Sequence, residues 1–295
     1  MESLVDMRIG LHALGIGAGA RPEVIRAVAV AAEAGGFATL WSGEHVVMVD
    51  RPVSRYPYSA DGRIAVPADA DWLDPLLALS FTAAVTSRIQ LATGVLLLPE
   101  HSPVIAAKQA ATLDVLSGGR LTLGVGIGWS AEEFAALGIS FSRRGQRTAE
   151  YVAAMRALWA DDVASFSGEF VQFEAVRVNP RPVRARRIPV VVGGNSDAAL
   201  GRVAAFGDGW YGFNLTAGAA AERVSALAEQ CRQRGRSLGE LSVAVALADG
   251  SPAVLPELAR IGVTELVVVG APPADLDAAG AWATELAARW GAGDT

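Results

Sequence analysis

Apolar runs of strand length alternate along the chain with longer stretches in which apolar residues recur at helical spacing. The short apolar runs predict strands at 7–14, 37–42, 88–98, 120–127, 188–194, 209–213, 241–247 and 265–270. The longer stretches predict helices at 22–35, 74–86, 103–118, 147–161, 196–207, 217–235, 251–262 and 273–290. This strict alternation predicts an α/β fold, a (β/α)8 TIM barrel that forms a single domain over 1–295.

A doubly wound parallel sheet is the alternative architecture for the same alternation. It usually carries a glycine-rich phosphate loop after its first strand. The segment HALGIGAGARPE at 12–23 matches that loop poorly, so the barrel is favoured.

Three segments are longer than barrel connections require, at 46–73, 138–147 and 162–187. The third contains a hairpin-like pair of short runs before the fifth strand. The first follows the second strand, so it is an insertion at the C-terminal face, where barrel enzymes keep their chemistry. Long loops of this kind are often lids or binding loops.

Composition narrows the class of protein. The chain is 52% hydrophobic, which is enough for a large core, yet it has no uninterrupted run of 18 apolar residues, so no membrane span is expected. A net charge of −6 argues against nucleic-acid binding. The only cysteine is Cys231, and the first ten residues carry two acids and lead into a strand, so a cytoplasmic protein without a leader is expected.

The residues at the predicted strand ends make hydrolytic chemistry unfavourable. His12, His45 and His101 lie on or just past the first three strands, but the later strand ends supply no further metal ligand, so no metal is expected. Paired carboxylates for glycoside hydrolysis are also poorly represented, with only Glu44 and Asp249 as candidates. The nucleophile motif G-x-S-x-G is absent.

Glycine is concentrated at the ends of the third, fourth and fifth strands. The stretch LTLGVGIGW has the spacing G-x-G-x-G, which is not the dinucleotide fingerprint G-x-G-x-x-G. The segment GGNSDAAL, from 193, places two glycines, Asn195 and Ser196 at a helix N-terminus, where free N–H groups favour a phosphate. The alternative is that Ser196 is only a helix cap.

Four ordered motifs resemble the luciferase-like monooxygenase superfamily of flavin- and deazaflavin-dependent barrels. They are LWSGEH, LATGVLLLPEHSPVIAAKQAATLDVLSGGRLTLGVGIGW, EEFAALGISFSRRGQRTAEYVAAMRALW and IPVVVGGNSDAALGRVAAFGDGW. The resemblance covers roughly residues 7–215, and 241–295 carry little signature.

The resemblance implies a flat tricyclic ring across the barrel mouth, with bare backbone at Gly126 and Gly128 giving it clearance. It also implies a non-prolyl cis peptide in a bulge of the third strand, for which Gly94–Val95 is the matching site. The cofactor contacts it implies are Thr93, Gly94, Val95, Gly126, Ile127, Gly128, Gly193, Gly194, Asn195 and Ser196, the last four at the phosphate.

Two polar residues at the end of the second strand match the catalytic position of such proteins. The resemblance implies that His45, with Glu44 before it, lies near the reactive edge of the ring and hydrogen-bonds the substrate or relays a proton. An exposed strand-end histidine without a catalytic role is the alternative. His12 is expected either to line the pocket or to fill the barrel.

Within the superfamily, GVGIGWSAEEFAALG most resembles the coenzyme F420-dependent oxidoreductases, which exchange hydride with a small organic substrate. Some FMN-using relatives have an arginine where this chain has Ile127, which favours the deazaflavin. An FMN-dependent monooxygenase with a separate reductase is the alternative, and a barrel that binds such a cofactor without catalysis is a third hypothesis.

Basic clusters and the apolar helix at 103–117 add expectations about partners. The anionic tail of F420 prefers basic residues; Arg143, Arg144 and Arg147 are expected on the cofactor side, and the cluster at 184–187 on the opposite, solvated end. Relatives are often dimers that pack helices near the second to fourth strands, so a homodimer is expected.

Overall fold

A closed barrel of eight parallel strands forms the centre of the computed structural model, which describes residues 7–294. The strands of this part are β1 (Arg8–Leu14), β2 (Thr39–Ser42), β3 (Gln90–Thr93), β4 (Leu121–Val125), β5 (Ala164–Ser167), β6 (Gln172–Val176), β7 (Val190–Gly193), β8 (Gly209–Leu215), β9 (Ser242–Leu247) and β10 (Glu265–Val269). The barrel order is β1-β2-β3-β4-β7-β8-β9-β10, and β10 pairs with β1. The predicted (β/α)8 TIM barrel is confirmed.

Helices surround the barrel and connect its strands. They are α1 (Pro22–Ala34), α2 (Pro75–Val85), α3 (Pro103–Leu116), α4 (Ala131–Ala136), α5 (Arg144–Ala160), α6 (Asp197–Phe206), α7 (Ala217–Arg232), α8 (Leu255–Arg260) and α9 (Leu276–Trp290). Several begin at a polar cap whose side chain accepts a backbone N–H three residues on, as Asp74, Ser196, Thr216 and Asp275 do. Within residues 7–294, no helix is both long and apolar enough to cross a membrane.

Apolar burial lies in two layers. The larger layer fills the space between the strands and the helices, with fully buried residues such as Leu40, Leu91 and Leu123. The smaller layer fills the barrel interior, where the Trp41 ring stacks on Tyr211 with 4.7 Å between ring centroids. The barrel is thus packed inside and out, as its continuous apolar strands require.

The observed strands and helices differ from the predicted ones mainly at their ends. β3 stops at Thr93 and β4 at Val125, because the chain bulges after Thr93 while its apolar side chains stay buried. α5 begins three residues earlier than predicted, since its first turn is polar and lacks the apolar spacing. The helix predicted from 251 begins at Leu255, after a 3-10 turn.

The long connections at 46–73 and 162–187 lie where the sequence predicted them, whereas the one predicted at 138–147 ends at 143 because α5 begins at Arg144. Residues 46–73 form an irregular segment, here called the lid, which lines a cavity at the C-terminal ends of the strands. Among residues 7–294, its one β-bridge to the barrel end joins Trp72 to Ile16. The hairpin-like pair of 162–187 is confirmed as the antiparallel strands β5 and β6.

Candidate active site

A cavity of about 1050 Å³ opens at the C-terminal ends of the barrel strands, beneath the lid. All but one of the twelve residues predicted at the site line it, namely Glu44, His45, Gly94, Val95, Gly126, Ile127, Gly128, Gly193, Gly194, Asn195 and Ser196. Thr93 is the exception, because it is fully buried and its hydroxyl donates to the Gly124 carbonyl at 2.6 Å. The predicted residues therefore come together on one cavity, with Thr93 supporting its wall.

The glycines of β4 and β7 make room for the bulge that follows β3. A Cβ on Gly126 would lie 2.5 Å from Val95 Cγ2, and one on Gly193 would lie 2.7 Å from Val95 Cγ1. A Cβ on Gly128 would meet Phe134 at 2.6 Å. Neighbouring side chains thus occupy the Cβ positions of Gly126 and Gly128, while both residues line the cavity. Their clearance of a flat ring stays a prediction.

The bulge itself has the geometry that the resemblance implied. The peptide between Gly94 and Val95 is cis. Beyond it, Leu96 rejoins the sheet through a bridge to Val125 and a 2.8 Å hydrogen bond from its N–H to the Gly124 carbonyl. Val95 consequently projects between the ends of β4 and β7.

Glu44 and His45 point to different partners rather than to each other. The Glu44 carboxylate accepts the Leu97 N–H at 2.6 Å and lies 2.9 Å from Nε2 of His101. Burial opposes protonation of His101, but the hydrogen bond and charge of Glu44 outweigh it and raise the pKa of that imidazole. Glu44 thus ties the bulge to the end of β2.

His45 is held from α4. Its Nδ1 lies 2.8 Å from Oε2 of Glu133, a fully buried carboxylate. Edge-to-face contacts with Trp72 and Trp129, at centroid distances of 4.8 and 5.7 Å, fix the ring from two sides. His45 therefore lines the cavity in a single supported orientation. Glu133 had no predicted role, since no local spacing connects it to His45, which lies 88 positions earlier in the chain.

Glu100 is a third carboxyl group in this region, close enough to Glu44 and Glu133 to be affected by their charges. It is 6% exposed, and neither of its oxygens has a hydrogen-bond partner among residues 7–294. Burial, with the charges of Glu133 and Glu44, raises the pKa of Glu100 to about 9. Glu100 is therefore a neutral acid at physiological pH.

Within the described chain, no cluster of three or more His, Cys, Asp and Glu side chains is arranged to hold a metal ion.

His12 lines the cavity from β1. Its Nδ1 lies 2.9 Å from the hydroxyl of Tyr211, and burial lowers its pKa to about 4. A neutral imidazole at this position can accept or donate a hydrogen bond without carrying charge.

Another part of the cavity wall lies at the N-terminus of α6. Gly193, Gly194 and Ser196 lead into α6, whose first-turn N–H groups lack partners within the helix. The Ser196 hydroxyl accepts the Ala199 N–H at 3.2 Å, so it does act as a helix cap. Asn195 is fully engaged with the backbone of Phe213, donating at 2.7 Å and accepting at 3.1 Å. Backbone N–H groups, rather than the Asn195 side chain, are thus available to a ligand.

Two arginines face this end of the cavity. Arg144 donates to the Gly128 carbonyl at 3.1 Å, and Arg202 projects from α6 with a buried Nε that has no partner in residues 7–294. Burial and the charge of Arg144 lower the pKa of Arg202. Of the predicted cluster, Arg143 instead pairs with Glu169 and Arg147 binds the Ser140 carbonyl. Arg202 was missed because it lies within an apolar helical pattern.

The charged residues that line the cavity are mostly basic. Arg55 and Arg63 come from the lid, Arg144 and Arg202 from the helices, and Glu44 is the one acid among the described lining residues. Four guanidinium groups against one carboxylate give the cavity a positive potential in a chain of net charge −6. The cluster at 184–187 lies away from the cavity, where Arg187 pairs with Asp208.

The lid is attached to α4 by two neighbouring carboxylates. Glu133 Oε1 accepts the N–H groups of Val46 at 2.7 Å and Val47 at 3.2 Å. Glu132 accepts those of Val53 and Ser54, at 2.6 and 2.9 Å. The lid places Tyr56 and Tyr58 on the cavity in edge-to-face contact with each other.

The closed barrel, the bulge after its third strand and the cavity at its C-terminal face define the chain as a (β/α)8 TIM barrel with a cavity at the strand ends. The model of the luciferase-like monooxygenase family matches residues 7–249. The chain therefore belongs to the luciferase-like monooxygenase family.

The chain is also similar to individual proteins over most of its length. It is 36% identical over 264 residues to an uncharacterised protein of Mycobacterium tuberculosis, a match that covers 89% of this chain and 92% of the relative. The fold is similar to monooxygenase RslO1 from Streptomyces bottropensis, with a TM-score of 0.77, 20% identity and coverage of 98% and 100%. It is also similar to an F420-dependent secondary alcohol dehydrogenase in complex with an F420–acetone adduct, with a TM-score of 0.76, 16% identity and coverage of 97% and 99%.

Proposed function

We propose that this protein is an oxidoreductase that transfers a hydride between the deazaflavin coenzyme F420 and a small organic substrate. The observation that carries the proposal is the excess of arginine over acid on the cavity, four residues against one. F420 bears a phosphate group and an anionic glutamate tail, so it gains more from that potential than FMN does.

The donor set at the anion end fits the phosphate of such a cofactor. The buried Nε of Arg202 has no protein partner among the described residues, and burying it without one costs free energy. A phosphate between Arg202, Arg144 and the first turn of α6 would satisfy it with charge-assisted hydrogen bonds. Gly193 and Gly194 would let the backbone approach that phosphate closely.

The residues at the other end of the cavity are proposed to act on the substrate. When bound, the deazaflavin supplies a ring carbon that gives or takes hydride. His45 is proposed as the catalytic residue that hydrogen-bonds the substrate and moves its proton, since it lines the cavity and is fixed by three neighbours. Glu44 is proposed to contribute by holding the bulge and His101 in place.

An FMN-dependent monooxygenase that receives reduced flavin from a separate reductase is the second candidate. It is supported by the similarity to monooxygenase RslO1, and the N-terminus of α6 would also hold the single phosphate of FMN. Its reaction consumes molecular oxygen, whereas hydride transfer to F420 does not.

Turnover with each reduced cofactor tests the proposal. Reduced F420 is mixed with the enzyme and a panel of small carbonyl compounds and enones, and its reoxidation is followed by absorbance under argon. We expect reoxidation that depends on one compound and does not need oxygen. Oxygen uptake with reduced FMN, without any anaerobic reoxidation of F420, would establish the monooxygenase instead.

The domain organisation, the compartment and the oligomeric state are also part of the proposal. We propose a single barrel domain over 1–295 that acts in the cytoplasm on a small molecule; the buried, unpaired Cys231 is consistent with that compartment. A homodimer is proposed through α2 and α3, which expose large apolar side chains, among them Leu77, Ile105 and Leu116.

A further inference from the structure

Glu133 connects the backbone of the lid to a histidine of the cavity wall. One oxygen, Oε1, accepts the backbone N–H groups of Val46 and Val47, and the other, Oε2, lies 2.8 Å from Nδ1 of His45. Glu133 is fully buried and does not line the cavity, so it does not meet a ligand itself.

We propose that Glu133 is a positioning residue that fixes the proton of His45 on Nδ1, so that Nε2 presents an unprotonated lone pair to the cavity. An ionised carboxylate only accepts hydrogen bonds, so the nitrogen facing Oε2 must carry the hydrogen. In a neutral imidazole the other nitrogen is then the acceptor. This inference rests on the proposed function only for the catalytic use of His45, because the tautomer itself is a property of the protein alone.

The neighbouring carboxylate Glu132 separates this role from attachment of the lid. Glu132 lies on the same helix as Glu133 and also accepts two N–H groups of the lid. Unlike Glu133, it makes no hydrogen bond with His45. Glutamine at position 132 or 133 keeps the size of the side chain and one acceptor oxygen. At position 133 the two lid N–H groups hold that oxygen at the site of Oε1. The amide NH₂ must then face Nδ1 of His45 and donate to it, which moves the ring proton to Nε2.

The experiment is the rate of modification of His45 by diethyl pyrocarbonate, which acylates an unprotonated imidazole nitrogen. The wild-type protein, Glu133→Gln and Glu132→Gln are treated without cofactor or substrate at one pH, and peptides are quantified by mass spectrometry. We expect Glu133→Gln to slow modification of His45 about tenfold or more, because its accessible nitrogen then carries hydrogen. Glu132→Gln is expected to stay within about twofold of wild type.

Two outcomes overturn the proposal. In one, Glu133→Gln reacts at the wild-type rate; in the other, Glu132→Gln slows His45 as much as Glu133→Gln does, which would assign the effect to the lid. If Glu133→Gln does not fold, nitrogen NMR of the wild-type histidine rings still decides the question. It is expected to report hydrogen on Nδ1 of His45, and hydrogen on Nε2 contradicts the proposal. Because neither measurement uses a cofactor, a failure of the F420 assignment remains distinguishable from a failure here.

Discussion

The side chain of Val95 limits the size of the residues at the ends of β4 and β7. Its two methyl groups occupy the volume beside Gly126 and Gly193, so each glycine is required by a side chain from another strand. Small residues at both positions let the bulge pack without displacing β4 or β7.

Alanine at position 126 tests this packing. We expect Gly126→Ala to lower the free energy of unfolding by about 1–3 kcal/mol, because its Cβ would overpack against Val95. Gly280→Ala is the matched control, since open space surrounds that helical position, and we expect it to raise the free energy of unfolding by about 0.5–1 kcal/mol. Urea denaturation measures both, and equal effects of the two variants would refute the packing role of Gly126.

Glu100 makes stability depend on pH in a definite direction. Its pKa is about 9 in the folded protein, whereas an unfolded glutamate ionises near pH 4.3. Between these values the unfolded chain binds fewer protons, so the free energy of unfolding falls as pH rises, by at most about 1.4 kcal/mol per pH unit.

Glu100→Gln removes this titration and is expected to become progressively more stable than the wild type from pH 5 to pH 8.5. Thermal melts across that range, with exposed Glu285→Gln as control, measure the difference. A difference between Glu100→Gln and wild type that stays constant with pH would show that Glu100 is ionised in the folded protein.

The sequence predicted which residues line the cavity better than it predicted what those residues touch. Strand ends meet at one rim of a barrel, so residues such as Glu44 and Gly194 could be placed from strand order alone. The partners His101 and Glu133 lie 57 and 88 positions away from theirs, where no local spacing connects them. The cofactor contacts remain a prediction.

At the scale of secondary structure, the short helix α4 is the anchor of the lid. Four lid N–H groups donate to the carboxylates of Glu132 and Glu133, while the lid has no regular structure of its own. α4 therefore fixes the first part of the lid, in addition to hydrogen bonds within the lid such as that from the Tyr56 N–H to the Gly62 carbonyl at 2.8 Å.

Removal of one anchor is expected to loosen the lid. Glu132→Ala frees the N–H groups of Val53 and Ser54, so trypsin is expected to cut after Arg55 several times faster than in the wild type. Glu229→Ala, which removes an exposed ion pair on α7, is the control. Unchanged cleavage in Glu132→Ala would mean that other contacts hold the lid.

The sequence did not predict where some of the strands end. The apolar run at 88–98 predicted one long strand, yet β3 ends at Thr93. Leu96, Leu97 and Leu98 are also buried. The apolar pattern therefore continues through the bulge, and it does not show that the strand has ended. The hairpin of β5 and β6 was predicted because its turn interrupts the apolar pattern.

At the scale of the whole molecule, the alternation of strands and helices was sufficient to predict the barrel. Each barrel strand is largely buried on both faces, which leaves a mostly apolar run between polar connections. The mode of association carries a weaker signal, because exposed apolar side chains on α2 and α3 do not identify their partner.

Charge on that exposed face tests the proposed homodimer. We expect Ile105→Glu combined with Leu116→Glu to convert the protein to monomers, since both side chains are more than half exposed and lie on α3. Val163→Glu, at an exposed apolar position before β5, is expected to leave the mass unchanged. Light scattering measures the mass, and a wild-type monomer would contradict the proposal.

A fluorescence titration of the purified protein with F420 and, separately, with FMN tests the proposed cofactor. We expect micromolar or tighter binding of F420 and weaker binding of FMN, and a loss of F420 affinity of roughly tenfold to a hundredfold in Arg202→Gln. Tighter binding of FMN, or F420 binding that Arg202→Gln leaves unchanged, would contradict this proposal.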